Sequence, residues 1–154
     1  MDYNEEIVRI AEQEKKLQFT KFDSFDALEL GTLIIERAKK EQRTIAIHIS
    51  LNRRDLFHFS FPGAAPDNDY WLRRKENAVY FFGKSSLALE YEMEQKNRDI
   101  KTFLGLSEPI AAKGGGFPII LRGTGPVGAV VVSGMQSFED HAFAAEAIEA
   151  FLSK

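Results

Sequence analysis

The stretch from Thr44 to Phe61 alternates apolar and polar residues with a period of two, interrupted only at Asn52-Arg53-Arg54-Asp55. Successive side chains of an extended chain point to opposite faces, so the pattern predicts two antiparallel strands joined by a short turn. Ile45, Ile47, Ile49 and Leu51 fall on one face of the first strand, and Phe57, Phe59 and Phe61 share one face of the second. The opposite side carries Ala46, His48, Ser50, Leu56, His58 and Ser60. A hairpin with one strongly apolar face needs a cover, and helices on a sheet are the usual solution.

Helical patterns stand on both sides of the hairpin. Tyr3, Ile7, Ile10 and Leu17 recur at helical spacing among Glu, Gln and Lys, which predicts a narrow-striped helix that packs on the domain or on a second subunit. Ser24 reads as the N-cap of a second helix reaching about Gln42, with Ala27, Leu28, Leu30, Gly31, Leu33, Ile34, Ile35 and Ala38 as a broad apolar face. After the hairpin, Pro62 to Asn68 reads as a loop, Asp69 to Phe82 as a helix, Gly83 as a break and Ser85 to Asn97 as another helix.

Gly114-Gly115-Gly116 leads into an apolar strand, Phe117 to Arg122, and Gly123-Thr124-Gly125-Pro126 turns it into a second, Val127 to Gly134. A further strand in this group would lie near Ile110 to Lys113. Ser137-Phe138-Glu139-Asp140 has the form of a capping box that opens a last helix with Ala142, Ala145, Ile148, Phe151 and Leu152 inward. Hairpins replace repeated βαβ crossovers, so the expected class is α/β with a mostly antiparallel sheet under helices, in a single domain spanning residues 1–154.

Charge and composition narrow the function. Lys and Arg number 20 against 23 Asp and Glu, a net charge of -3, which offers no overall positive field to a nucleic-acid backbone. The chain has no cysteine, excluding disulfides, thiolate metal sites and thiol nucleophiles and suiting a reducing cytoplasm. Its first residues are acidic rather than basic, and no apolar run approaches the about 18 residues that span a bilayer, so neither export nor a membrane partner is expected.

Gly115-Gly116-Phe117-Pro118-Ile119, Gly128 to Gly134 and Asp140-His141, in that order, resemble the motifs of the haem-degrading, HbpS-like family, which includes GlcG-like domains. Pro66-Asp67-Asn68, Trp71, Arg74-Lys75 and the pair Ser85-Ser86 resemble one branch of it, in which an aromatic usually follows the Ser pair where this chain has Leu87. The resemblance covers nearly the whole chain. It implies a profilin-like three-layer α/β/α sandwich and a symmetric homo-oligomer. Haem binding belongs to some members without riding on the shared motifs, so the resemblance assigns no cofactor.

The candidate ligand-binding residues are Trp71, Arg74, Lys75, Gly115, Gly116, Phe117, Ser133, Gly134, Asp140 and His141. Three consecutive glycines beside Lys113 can turn backbone amides toward an anion, or simply form a tight turn; a strand follows them, where a phosphate-cradling loop would open a helix. Capping accounts for Ser137 and Asp140 but gives no reason for His141, the candidate acid or base. Trp71, Arg74, Lys75 and Ala78 share a helix face, which suits an aromatic base with a cationic rim for a carboxylate, or a subunit contact.

His48 and His58 face one another across the hairpin if its loop has three residues and are split between faces if the loop is even. Two histidines without a nearby carboxylate make an incomplete metal site, so no metal is expected. The sequence therefore favours an oligomeric module that binds a small anionic ligand, against an enzyme using His141 or an interaction scaffold with no ligand.

Overall fold

The structure is a computed structural model that describes residues 1–100 and 109–154. Among these residues the chain forms α1 (Tyr3–Lys16), α2 (Ser24–Lys40), β1 (Ala46–Leu51), β2 (Arg54–Ser60), α3 (Pro66–Phe82), α4 (Ser86–Lys96), β3 (Gly116–Leu121), β4 (Gly125–Ser133) and α5 (Ser137–Leu152). The strands pair in the order β2-β1-β4-β3, every neighbour antiparallel. The expected strand near Ile110 to Lys113 does not form: Ala111 N donates instead to Arg74 O on α3, at 3.1 Å.

Alternation along the strands sorts the chain into layers. Ile45, Ile47, Ile49, Phe117, Ile119, Val130 and Val132 pack against α2 and α5 in the main core. Ala46, Ala129 and Val131, pointing the other way, pack against Leu72 and Val79 of α3. The small residues on this second face let α3 lie close to the sheet. The amphipathic stripe of α1 is spent within the chain, where Tyr3, Ile7 and Ile10 meet Leu87, Ala88 and Tyr91 of α4.

Helix boundaries differ from the sequence reading where capping chemistry decides. Asp23, not Ser24, caps α2, accepting from the amides of Phe25 and Asp26 at 2.9 and 3.0 Å while Asp26 accepts from the Asp23 amide. α3 begins at Pro66, earlier than expected, because proline suits the first helical turn and Asn68 reaches back to the Ala65 amide at 3.0 Å. α5 starts after Gln136, whose amide donates to Glu139. Leu28 and Leu33 of α2 and Leu152 of α5 face outward, whereas Phe143, Ala144 and Ala147 join the core in their place.

The hairpin turn is even, with Leu51 opposite Arg54, and Asn52 and Arg53 both adopt positive φ (52° and 66°) as a two-residue turn of the I′ kind requires. His48 nevertheless stands opposite His58, because Leu56 is an extra residue: Ser50 pairs with Asp55 and Ile49 with Phe57. This bulge also turns Leu56 to the α2 side, against the expected alternation.

Candidate functional site

Lys75 sits inside the apolar stripe of α3, with Leu72, Ala78 and Val79 around it. Its Nζ donates to Asp140 Oδ2 at 3.0 Å and to the Val132 carbonyl at 3.1 Å, and the two charged side chains are only 5% and 1% exposed. Asp140 reaches this position from the first turns of α5, and its Oδ1 accepts from the Met135 amide at 3.0 Å. Asp140 is therefore no cap; it ties α3, the end of β4 and the start of α5 together. Burial pushes its carboxyl up to about 6, and the charge of Lys75 opposes that rise.

Gly115 completes the packing. At φ 136° it brings its backbone so close that a Cβ there would lie 2.3 Å from Val132 O and 2.9 Å from Lys75 Nζ. The amides of Gly114 and Gly116 donate to Glu90 and to Ser86 Oγ, at 2.8 and 2.9 Å. Two of the amides that could have cradled an anion are thus engaged by the protein itself, and the glycines serve close approach.

Above the pair opens a cavity of about 370 Å³, lined by Asp67, Asn68, Trp71, Lys75, Lys113, Ser133, Gly134, Met135, Ser137 and Asp140. Five of the sequence candidates meet here: Trp71, Lys75, Ser133, Gly134 and Asp140. Arg74 lies behind Trp71, its guanidinium 4.4 Å from the indole centroid. Lys75 is not the free cation of a rim; that position belongs to the exposed Lys113, with Lys75 below it as half of a buried pair. Met135 carried no signal in the sequence, because it joins the cavity only through the packing of α3 on the end of β4; Asp67 stood in the branch motif without being a candidate for the site.

His141, Gly115, Gly116 and Phe117 stand outside this lining. His141 is 2% exposed, with its ring against Phe117 and its Nε2 2.7 Å from Gln13 Oε1 of α1. Its Nδ1 is buried without a hydrogen-bond partner among the described residues. Burial, with a smaller contribution from the charge of Arg9, pulls the imidazole down to about 3, so the ring is neutral near pH 7. Packing against α1 accounts for a histidine that capping did not.

A second polar cluster lies between the hairpin and α3. His48 Nε2 is 3.2 Å from Asp55 Oδ1 and 3.1 Å from Glu76 Oε2. Its Nδ1 is 3.3 Å from His58 Nδ1, and His58 Nε2 is 3.2 Å from Asp69 Oδ1. Glu76 accepts from Ser50 Oγ at 2.5 Å, and Ser50 meets the Tyr80 hydroxyl at 3.0 Å. Burial pulls His48 down, but the hydrogen bond and charge of Glu76, with Asp55, outweigh it and leave the imidazole raised. Glu76 is lowered in turn, since His48, Ser50 and Arg53 outweigh its burial. The histidine pair thus has carboxylates beside it, which the sequence reading did not find; Asp55 stands opposite Ser50 next to the Leu56 bulge, and Glu76 comes from a distant helix.

With this geometry fixed, comparison with known proteins gives the lineage. Residues 22–149 match the family described as haem degrading protein HbpS-like. The chain belongs to the HbpS-like family. A UPF0303 protein of Streptomyces coelicolor is 38% identical to this HbpS-like chain over 149 residues, covering 96% of the chain and 94% of the relative. Among solved structures, the Ybr137w protein is similar at a TM-score of 0.88 and 29% identity, over 96% of this chain and 88% of that one. The PduOC structure, a complex with haem, shares the fold at a TM-score of 0.71 and 19% identity, over 84% of this chain and 94% of that one.

Proposed function

We propose that this HbpS-like chain is a cytoplasmic, homo-oligomeric module that binds a small anionic ligand in the cavity above Lys75 and Asp140. The observation that carries the reading is convergence: residues from α3, β4, the β4–α5 connection and the segment before the glycines line one cavity of about 370 Å³. That volume lies at the lower end of those that hold small molecules. Trp71 supplies a flat apolar wall for the body of such a ligand. Lys75 has three donors, of which Asp140 and Val132 take two among the described residues, so the third serves the cavity. Lys113 adds a second cation at the rim. The first turns of α3 and α5, entering the lining through Asn68 and Ser137, favour negative charge nearby.

Haem does not fit this lining. Of the side chains that ordinarily hold haem iron, the described wall offers Met135 alone, and Asp67, Lys75, Lys113 and Asp140 would face an apolar macrocycle. Acid–base catalysis by His141 is also disfavoured, because its ring is buried against Gln13 and Phe117 rather than turned to the cavity. Oligomerisation draws support from large apolar side chains left outside, with Phe25 80%, Phe138 55% and Phe81 54% exposed.

Native mass spectrometry of the protein as purified from cells tests the reading in one spectrum. An oligomer carrying a ligand-sized mass increment is the expected result. A bare monomer that gains no mass when small carboxylates and phosphate are added overturns it.

A further inference from the structure

The cluster on the hairpin is separate from the cavity although α3 serves both: Lys75 turns to Asp140, and its neighbour Glu76 turns to β1. We propose that His48, Asp55 and Glu76 form a site for a divalent transition-metal ion of the zinc class. Their donor atoms all lie within 4.8 Å of one another. In a tetrahedral site with ligands about 2.0–2.1 Å from the ion, neighbouring donor atoms stand about 3.3 Å apart. His48 Nε2 already stands 3.2 Å from Asp55 Oδ1 and 3.1 Å from Glu76 Oε2, so an ion enters with little rearrangement.

The surrounding hydrogen bonds are those a metal site needs. A metal-ligating imidazole donates its other N–H to an outer partner, which fixes the tautomer. Here His48 Nδ1–H is directed to His58 Nδ1, and His58 Nε2–H to Asp69 Oδ1, leaving the Nε2 lone pair of His48 for the ion. Ser60 Oγ also donates to Asp69, at 3.0 Å, and Ser50 holds Glu76 in the same way. Arg53 NH1 is a cation beside the cluster, 3.8 Å from Glu76 Oε1, and its guanidinium is drawn aside onto the Tyr80 ring and to Asn77 Oδ1. With His48 13%, Glu76 10% and Asp55 77% exposed, the ion has two sheltered ligands and one at the solvent edge, where a water completes four-coordination. The even turn and the Leu56 bulge together make the arrangement: the turn sets Asp55 opposite Ser50, and the extra residue sets His58 opposite His48.

The test is titration of the chelator-treated full chain with Co²⁺, read by visible d–d absorption and equilibrium dialysis, then displacement with Zn²⁺. One Co²⁺ per chain with tetrahedral bands, displaced by Zn²⁺, is expected. Asp55→Asn and Glu76→Gln should each abolish stoichiometric uptake, and His58→Asn should weaken it by about tenfold to 100-fold. Asp55 is exposed, so Asp55→Asn should fold as the unmodified chain does, and it decides the question if Glu76→Gln fails to fold. Absence of stoichiometric uptake by the unmodified chain, or uptake unchanged in Asp55→Asn, overturns the assignment and leaves His48 as an imidazolium held between two carboxylates.

Discussion

Lys75 Nζ and Asp140 Oδ2 lie 3.0 Å apart in the buried wall of the cavity, joining α3 to α5 across the end of β4. Two charges taken from water offset their desolvation only through each other and through the Val132 and Met135 backbone groups that complete their hydrogen bonds. Removing one partner is therefore far worse than removing both.

Lys75→Met alone should lower stability by about 3–5 kcal/mol at pH 8, where Asp140 is left charged and buried, and the loss should shrink below the titration of that carboxyl. The double variant Lys75→Met, Asp140→Leu should unfold within about 1–2 kcal/mol of the parent. Urea unfolding of both variants checks the pair.

Gly115→Ala should destabilise by at least about 2 kcal/mol, since a side chain at φ 136° is strained and its Cβ meets Val132 O and Lys75 Nζ. Gly123→Ala, at φ 84° but with open space around it, incurs only the backbone strain and serves as the control for the same melting experiment.

Acid stability should carry two opposed contributions from adjacent residues. The folded-state value of His141 is depressed from 6.5 to about 3, so the native chain binds fewer protons than the unfolded one in that window. Its contribution is lost as pH falls from about 6.5 towards 3. Asp140 is raised from 3.8 to about 6, so its contribution is present below 3.8 and lost as pH rises through about 6. His141→Phe should flatten the fall in stability below pH 6.5, whereas Asp140→Asn should steepen it. Chemical denaturation at intervals from pH 4 to 8 measures both slopes.

Phe25→Ser and Phe138→Ser replace exposed aromatics and should leave chain stability within about 0.5 kcal/mol. Under the oligomeric reading at least one should raise the dissociation constant of the assembly, measured by sedimentation against concentration.

The sequence carried the hairpin because alternation over many residues is a strong signal, and it carried α2, α5 and the β3–β4 pair because their apolar runs are bounded by glycines and capping residues. It left the hairpin register open and put Leu56 on the wrong face, because a bulge leaves only a faint trace, here the adjacent apolar residues Leu56 and Phe57. Five cavity residues were nameable in advance, drawn from Trp71, Lys75, Ser133, Gly134 and Asp140. The role of Lys75 was still misread, although a lysine among Leu72, Ala78 and Val79 is itself a sign of a buried partner. Asp55 beside His48 depended on the turn length that the sequence leaves open, and Glu76 could not be read at all, since a distant helix brings it there.

Trp71 is the only tryptophan in the chain and it lines the proposed binding cavity, so its fluorescence reports occupancy directly. Titration with a panel of small carboxylates and inorganic phosphate should give, for at least one of them, a saturable change that weakens in Lys113→Ala and disappears in the Lys75→Met, Asp140→Leu protein. A spectrum that none of these anions alters, or a change that survives intact in both variants, would contradict anion binding in this cavity.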